Sequence, residues 1–316
     1  MNAKSLALLI TDWNVSPWEQ SLMRLAPDRQ ILTAPVFATP EDIAYALCWK
    51  PQQGLLATMP NLQVIFSLGA GVDHIYEDRA LPDVPIVRII DPDLSMRMSE
   101  YVVLHVLMHH RKQRAYDSLQ GKSAWREFSQ APASAVRVGI MGLGVLGRDA
   151  AEKLRTLGFQ VNGWSRGAKN LTGITCFSGE AGLDDFLRQT DILICLLPHT
   201  PATDGILNTI LFEKLSHDGP LGKPVLINAG RGGLQREEDI ISALDQGVLG
   251  AVTLDVFETE PLPVSSPLWQ HAGVTITPHN ASASDPETIL RNVLKQIEAH
   301  EAGKKMDNIV DPAQGY

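Results

Sequence analysis

Cysteine is scarce in this chain: three residues in 316, Cys48, Cys176 and Cys195. An odd number without metal-ligand spacing argues against a disulfide framework and a cysteine-bound metal, and fits a reducing compartment. A basic excess is missing too. Lys and Arg number 27 against 36 Asp and Glu, a formal charge of −9, and the isoelectric point is near 5.5. That balance disfavours nucleic acid or an anionic membrane surface as the main partner, while leaving room for a local positive pocket that takes an anion. Long hydrophobic runs are absent. The run at 6–10 is too short to span a bilayer, short for a signal-peptide core, and has no small-residue cleavage signature after it. It reads as a buried strand, and a cytoplasmic protein is expected. Neither a fixed-period repeat nor a low-complexity segment is present, which sets aside solenoids and tails.

What remains is an ordinary globular composition, 44% apolar and 20% charged, with a mean hydropathy of −0.03. General disorder is excluded, and the length suggests about two domains. Short apolar runs recur at 6–10, 62–68, 85–90, 136–141, 159–164, 192–197, 225–228, 251–256 and 274–277. Many are separated by helical periodicity, as where Leu146, Ala150, Leu154 and Leu157 share a face before Gly158, a C-cap. Continuous apolar strands alternating with helices mean parallel sheets covered on both faces, so the class is α/β. The spacing predicts a long helix over 99–119, a polar stretch over 120–134, and a helix over about 285–300 that returns the chain to its first domain. The expectation is two Rossmann-like or flavodoxin-like domains, with a dinucleotide-binding domain (101–284) inserted into a split substrate-binding domain (1–100 with 285–316). A cleft between them is the expected ligand site.

The run Val138-Gly139-Ile140-Met141-Gly142-Leu143-Gly144-Val145-Leu146-Gly147 is a strand entering G-x-G-x-x-G and then a helix. Gly142 suits the tight turn, Gly144 a close approach to a pyrophosphate, and Gly147 helix–strand packing, with free N–H groups at the helix start. The motif alone is weak; its strand and amphipathic helix supply the context it needs. The next strand ends in Trp164-Ser165-Arg166, with Lys169 nearby, where an NAD site would place Asp or Glu. A hydroxyl and two cations favour a 2′-phosphate. Charge-assisted contacts of about 1.5–3 kcal/mol each give a preference of about tenfold to a hundredfold per contact. NADPH is therefore expected over NADH, which stays open, against the blander reading of a solvated basic turn.

Three polar clusters follow apolar runs in the same half: Asn228-Ala229-Gly230-Arg231-Gly232-Gly233, Asp255-Val256-Phe257-Glu258-Thr259-Glu260-Pro261, and Thr277-Pro278-His279-Asn280. Ligands bind outside the carboxyl ends of parallel strands, so the three can face one site. Arg231 offers a planar fork for a carboxylate. His279 suits proton exchange near neutrality, and Glu260 against it would favour the charged imidazole. Taken singly, each has a plain reading: surface charge, satisfied histidine, turn residue.

Together GLGVLG, NAGRGG, DVFETEPLP and TPHNAS, in this order and spacing over 136–282, resemble the signature series of the D-isomer-specific 2-hydroxyacid dehydrogenases. Cys48-Trp49-Lys50-Pro51, Ser67-Leu68-Gly69-Ala70-Gly71-Val72-Asp73, Trp164-Ser165-Arg166, Ser266-Pro267-Leu268-Trp269-Gln270-His271 and Gly315-Tyr316 are similar to the glyoxylate/hydroxypyruvate reductase A branch. The resemblance spans nearly the whole chain. It implies Arg231, Glu260 and His279 as the catalytic set, and the backbone of Gly69, Ala70 and Gly71 holding the substrate carboxylate with Trp49 lining the pocket. It also implies Asp255 beside the nicotinamide carboxamide, with Leu197, Pro198, Ala229 and Gly230 lining the cofactor. A split two-domain architecture with hinge closure, and a homodimer built largely on the nucleotide domains, are further implications. Asn280 departs from the pattern, where an apolar residue commonly follows the histidine. Arg97 and Met98 receive no role.

His105 and His109 share a helix face but have no third ligand and no H-E-x-x-H, so no metal is expected. Ser67 and Ser165 lack G-x-S-x-G context. The expected activity is NADPH-dependent reduction of a small 2-ketoacid such as glyoxylate or hydroxypyruvate. A reductase for a bulkier 2-ketoacid is the competitor within the class, and a non-catalytic dinucleotide sensor the competitor outside it.

Overall fold

The computed structural model describes residues 4–34, 37, 39–283 and 285–311; Gly315 and Tyr316, noted above, lie outside them. The chain divides into two compact units, residues 1–94 with 284–316, and residues 95–283.

Unit 1 begins β1 (Ser5–Ile10), α1 (Ser16–Leu25), β2 (Ile31–Thr33), β3 (Ile43–Trp49), β4 (Val64–Ser67), α2 (Asp73–Tyr76) and β5 (Ile86–Val87). Its strands form a parallel sheet in the order β2-β1-β3-β4-β5, the flavodoxin-like order. β3, with every residue buried, lies inside the sheet although no apolar run marked it. Its Ala44, Ala46, Tyr45 and Cys48 dilute the hydrophobic signal without leaving the core.

Unit 2 runs from within α3 (Pro92–His110) through α4 (Gln113–Gly121), β6 (Arg137–Met141), α5 (Val145–Thr156), β7 (Gln160–Ser165) and β8 (Thr175–Ser178). It continues with α6 (Gly179–Arg188), β9 (Ile192–Cys195), α7 (Thr209–Glu213), β10 (Val225–Asn228), α8 (Glu237–Asp245), β11 (Ala251–Leu254) and β12 (Val274–Ile276). The predicted single helix over 99–119 is two helices. Lys112 takes φ 56°, and this left-handed residue turns the chain between α3 and α4. α5 keeps Ala150 and Leu154 buried as its periodicity requires, while Leu157 is 45% exposed, beyond the buried stripe. Gly158 follows at φ +91°, the conformation a helix C-terminus reserves for glycine.

The unit 2 sheet is parallel, in the order β12-β11-β10-β9-β6-β7-β8, a doubly wound arrangement with its switch point between β6 and β9. Its strands show why the apolar runs are continuous. Val138, Ile140, Ile192, Ile194, Val225 and Ile227 enter one core cluster, and Met141, Leu193, Cys195, Leu226, Val252 and Leu254 enter another on the opposite face. Alternate residues feed opposite faces, and both faces are dry. Fully burying one such side chain is worth about 1.5–3 kcal/mol.

α9 (Pro286–Glu301) returns the chain to unit 1. Asp285 caps it, its carboxylate accepting the Thr288 N–H at 2.9 Å, with Pro286 in the first turn. Its buried face carries Ile289, Leu290, Val293 and Ile297. Arg29 grips Glu301 with both guanidinium nitrogens, at 2.9 and 2.7 Å, tying the helix to the segment after α1. Among the described residues no helix is long and apolar enough to cross a membrane.

Candidate active site

The turn after β6 is built by glycine. Gly142 takes φ +105°, and a Cβ there would stand 2.7 Å from the carbonyl oxygen of Leu196, the residue after β9 across the switch point. A Cβ on Gly147 would collide with the Gly142 carbonyl oxygen, so α5 packs on the turn at backbone distance. Gly144 differs: a Cβ there meets nothing within 4 Å. It is the N-cap of α5, and no side chain caps the helix. Open space above a glycine and uncapped N–H groups at a helix start are what a pyrophosphate requires, so the residues fit a dinucleotide. Val145 is 42% exposed at the same end, with Leu146 partly buried.

At the end of β7, Ser165 is buried and its hydroxyl donates to the Gly167 carbonyl at 2.8 Å, folding the turn. Arg166 and Lys169 are exposed on that turn, where they offer positive charge beside the strand end. Leu197 and Ala229 are buried beyond β9 and β10, and Pro198 is partly buried. Gly230 donates its N–H to Asn228 Oδ1 at 3.0 Å.

Arg231 follows β10, with Nη1 donating to the Gly230 carbonyl at 2.8 Å. Its backbone is fixed from below. Fully buried Asn228 donates to the Arg231 carbonyl at 3.2 Å and to Gln235 Oε1 at 2.8 Å, and Gln235 donates to the Val256 carbonyl at 3.0 Å. The Arg231 turn is thereby linked to the segment after β11. A Cβ on Gly232 would strike the Phe257 carbonyl, so these segments touch at backbone distance. Glu237 and Glu258 close the link, each carboxylate accepting the other's backbone N–H at 2.9 Å. Burial and the neighbouring Glu258 charge raise the Glu237 pKa, and the Glu258 N–H opposes them.

Glu260 ends this segment. Its Oε1 accepts the Phe257 N–H at 3.2 Å, and its Oε2 lies 2.8 Å from His279 Nδ1. An ionised carboxylate only accepts, so Nδ1 carries a proton and the exchangeable proton falls to Nε2. The pair is partly exposed, 30% for the imidazole and 22% for the carboxylate. His279 itself takes φ 51°, a conformation that costs a non-glycine residue about 1–3 kcal/mol and persists only where its surroundings enforce it. Asp255 enforces it. Its carbonyl accepts the His279 N–H at 2.8 Å, and its buried carboxylate accepts the Asn280 and Ala281 N–H groups, each at 3.0 Å. The Asn280 side chain is exposed.

In unit 1, the segment after β4 is folded by Ser67, fully buried, whose hydroxyl lies 3.1 Å from the Gly69 carbonyl and 2.7 Å from that of Gly71. Ala70 and Gly71 are partly exposed. A Cβ on Gly69 would collide with the Trp49 indole, which stacks on Trp13 with centroids 4.0 Å apart and leans on His74 at 4.8 Å.

Arg231, Glu260 and His279 thus lie beyond β10, β11 and β12, neighbours at one sheet edge. The sequence reading passed over Gln235 and Glu237, and named Thr277 beside His279 without giving it a role. Gln235 and Glu237 look like surface residues in a helix-start sequence, and only their burial and partners mark them. His109 pairs Nε2 with Thr253 Oγ1 at 2.8 Å, and no group of three His, Cys, Asp or Glu among the described residues could hold a metal. His199 pairs with Asp204 at 2.9 Å.

A family model for the D-isomer specific 2-hydroxyacid dehydrogenase, NAD binding domain, matches residues 103–281. The chain is 42% identical to a glyoxylate/hydroxypyruvate reductase A of Yersinia enterocolitica, over 86% of this chain and 87% of the relative. It is 40% identical to one of Serratia proteamaculans, over 96% and 97%. Among solved structures, it matches an NADPH-dependent glyoxylate/hydroxypyruvate reductase of Sinorhizobium meliloti in complex with NADP and sulfate. The TM-score is 0.94 at 46% identity, covering 99% of this chain and 100% of the other. A probable 2-hydroxyacid dehydrogenase of Rhizobium etli, in complex with NADP, HEPES and L(+)-tartaric acid, matches with a TM-score of 0.93 at 45% identity, over 99% of each chain. With matches of this extent and identity, the chain belongs to the D-isomer-specific 2-hydroxyacid dehydrogenase family.

Proposed function

We propose that this protein reduces small 2-ketoacids, glyoxylate and hydroxypyruvate among them, to 2-hydroxyacids with NADPH. The observation that carries the reading is the 2.8 Å contact of Glu260 with His279 Nδ1, at the strand edge where Arg231 also stands. NADP-bound structures among the relatives and the basic turn at Arg166 support NADPH.

In this reading residues 101–284 form the cofactor domain, and 1–100 with 285–316 the substrate domain. Gly142, Gly144, Val145, Leu146 and Gly147 receive the pyrophosphate. Ser165, Arg166 and Lys169 receive the 2′-phosphate. Leu197, Pro198, Ala229, Gly230 and Asp255 line the cofactor toward its nicotinamide. Bound NADPH supplies a hydride to the keto carbon. Arg231 pairs with the substrate carboxylate, aided by the backbone of Gly69, Ala70 and Gly71, and Trp49 lines the pocket. As the carbonyl π bond breaks, its oxygen takes the proton from His279 Nε2, so the ketone becomes an alcohol and imidazolium becomes imidazole. Glu260 holds the ring by Nδ1 throughout, which leaves Nε2 as the atom that gives up the proton.

The protein acts in the cytoplasm as a homodimer through unit 2, where Leu104 on α3 is 54% exposed and Trp125, in the segment after α4, fully so. No metal, nucleic acid or membrane enters this reading. The test is NADPH and NADH oxidation, followed in parallel with a panel of 2-ketoacids. Faster turnover of glyoxylate or hydroxypyruvate with NADPH is expected. Preference for a bulky 2-ketoacid would correct the substrate, and cofactor binding without turnover on any 2-ketoacid would overturn the reading in favour of a sensor.

A further inference from the structure

The Asp255 carboxylate has a third partner. Its Oδ1 also accepts the Thr277 hydroxyl at 2.6 Å, and Thr277 Oγ1 in turn lies 2.7 Å from the Tyr101 hydroxyl. The carboxylate can only accept, and Thr277 has one hydroxyl proton, which goes to it. Tyr101 must therefore be the donor to Thr277. The bonds run in one direction, from Tyr101 on α3, through Thr277 after β12, to Asp255 after β11. Tyr101 is buried and burial pushes its phenol far above the usual range, so its proton stays in place. His105 lies tilted against the ring with centroids 4.2 Å apart, and burial lowers its pKa against a smaller opposing effect of Asp255.

We propose that Tyr101 and Thr277 are positioning residues for proton transfer: they fix the Asp255 carboxylate, and through it the backbone that presents His279. The far end of the relay is the run of N–H groups at 279–281, of which Asp255 takes all three. No side-chain bond of the relay reaches Arg231 or the glycine turn after β6, and the Asp255 N–H that bonds the Asn228 carbonyl at 3.0 Å belongs to the backbone between β10 and β11. Loosening it therefore moves Nε2 relative to the reacting oxygen while leaving the carboxylate and pyrophosphate contacts as they were. A displacement of about 1 Å at such a group costs up to about a hundredfold in rate. The inference rests on the reading of His279 as proton donor.

The test compares Tyr101→Phe, Thr277→Val and Thr277→Ser with the unaltered chain, using NADPH and the best ketoacid of the panel. We measure kcat, the KM for NADPH, the melting temperature, and the solvent deuterium isotope effect on kcat. The first two variants should lose about tenfold or more in kcat with the KM for NADPH within about twofold, and should show a larger isotope effect as proton transfer becomes limiting. Thr277→Ser, which keeps the hydroxyl, should recover most of kcat. Unchanged kcat in Tyr101→Phe, or Thr277→Ser as slow as Thr277→Val, would overturn the proposal. So would losses that follow melting temperature with no change in isotope effect. If Thr277→Val does not fold, Tyr101→Phe and Thr277→Ser decide it. His279→Gln separates the two levels. If it retains turnover, the reading of His279 falls; if it is inactive while the relay variants keep full kcat, only the relay falls.

Discussion

The histidine expected to move a proton stands on a backbone that histidine seldom adopts, and its neighbours explain why it stays there. Asp255 takes the N–H groups of three successive residues, and Glu260 takes Nδ1. Glu260→Gln keeps a hydrogen-bonding group at Nδ1 but replaces the accepting carboxylate with an amide that can also donate, so the ring is held less firmly in its tautomer. It should lower kcat by about tenfold to a hundredfold with little change in the KM for NADPH, measured in steady-state reduction. Arg166→Ala should raise the KM for NADPH by about tenfold or more while leaving that for NADH nearly unchanged; an equal effect on both would mean that Arg166 does not read the 2′-phosphate. At this scale the sequence was legible where a residue's chemistry is unusual for its place, as with Arg231 among glycines or His279 after a strand. It assigned no role to Tyr101, Thr277 or Gln235. Their roles arise from partners 176, 22 and 21 residues away in sequence, and no local spacing encodes that.

Elements are where glycine separates folding from binding. A Cβ at Gly147 would strike the Gly142 carbonyl, and one at Gly144 meets nothing within 4 Å. Gly147→Ala should therefore lower the melting temperature and cofactor affinity together. Gly144→Ala should melt close to the unaltered chain while binding NADPH more weakly, because the methyl enters the space reserved for the pyrophosphate. Thermal melting with NADPH titration checks both. The apolar runs identified the central strands because both sheet faces are buried, so every residue is selected for hydrophobicity. They missed β2 and β8, short edge strands with partly exposed residues. They also missed β3, whose alanines pack in the core with little hydrophobic signature. The split of the helix predicted over 99–119 was equally hidden. Lys112 is a good helix former, and nothing in its side chain announces φ 56°.

For the molecule as a whole, α3 carries histidines that make stability depend on acidity. Burial pushes His109 down to about 4, with the charges of His105 and Arg114 adding to it. Below the unfolded value near 6.5 the unfolded chain binds a proton that the folded chain refuses. Stability is thus full above about 6.5 and is lost progressively as pH falls toward 4. The linkage amounts to about 3 kcal/mol at full extent. Melting temperature should fall across this window and fall less in His109→Gln, which keeps a hydrogen-bonding side chain toward Thr253. The α/β class was legible from alternation of strand and helix along the chain, and a helix over about 285–300 from the spacing of its residues.

The central claim is that His279 supplies the proton while other residues hold the cofactor. Single-turnover oxidation of bound NADPH by a 2-ketoacid, compared between the unaltered chain and His279→Ala with NADPH affinity measured on the same samples, tests it most directly. The account predicts a rate lower by about a hundredfold to ten-thousandfold with affinity unchanged within about threefold. A variant that binds NADPH normally and still reduces the ketoacid at the original rate would contradict it.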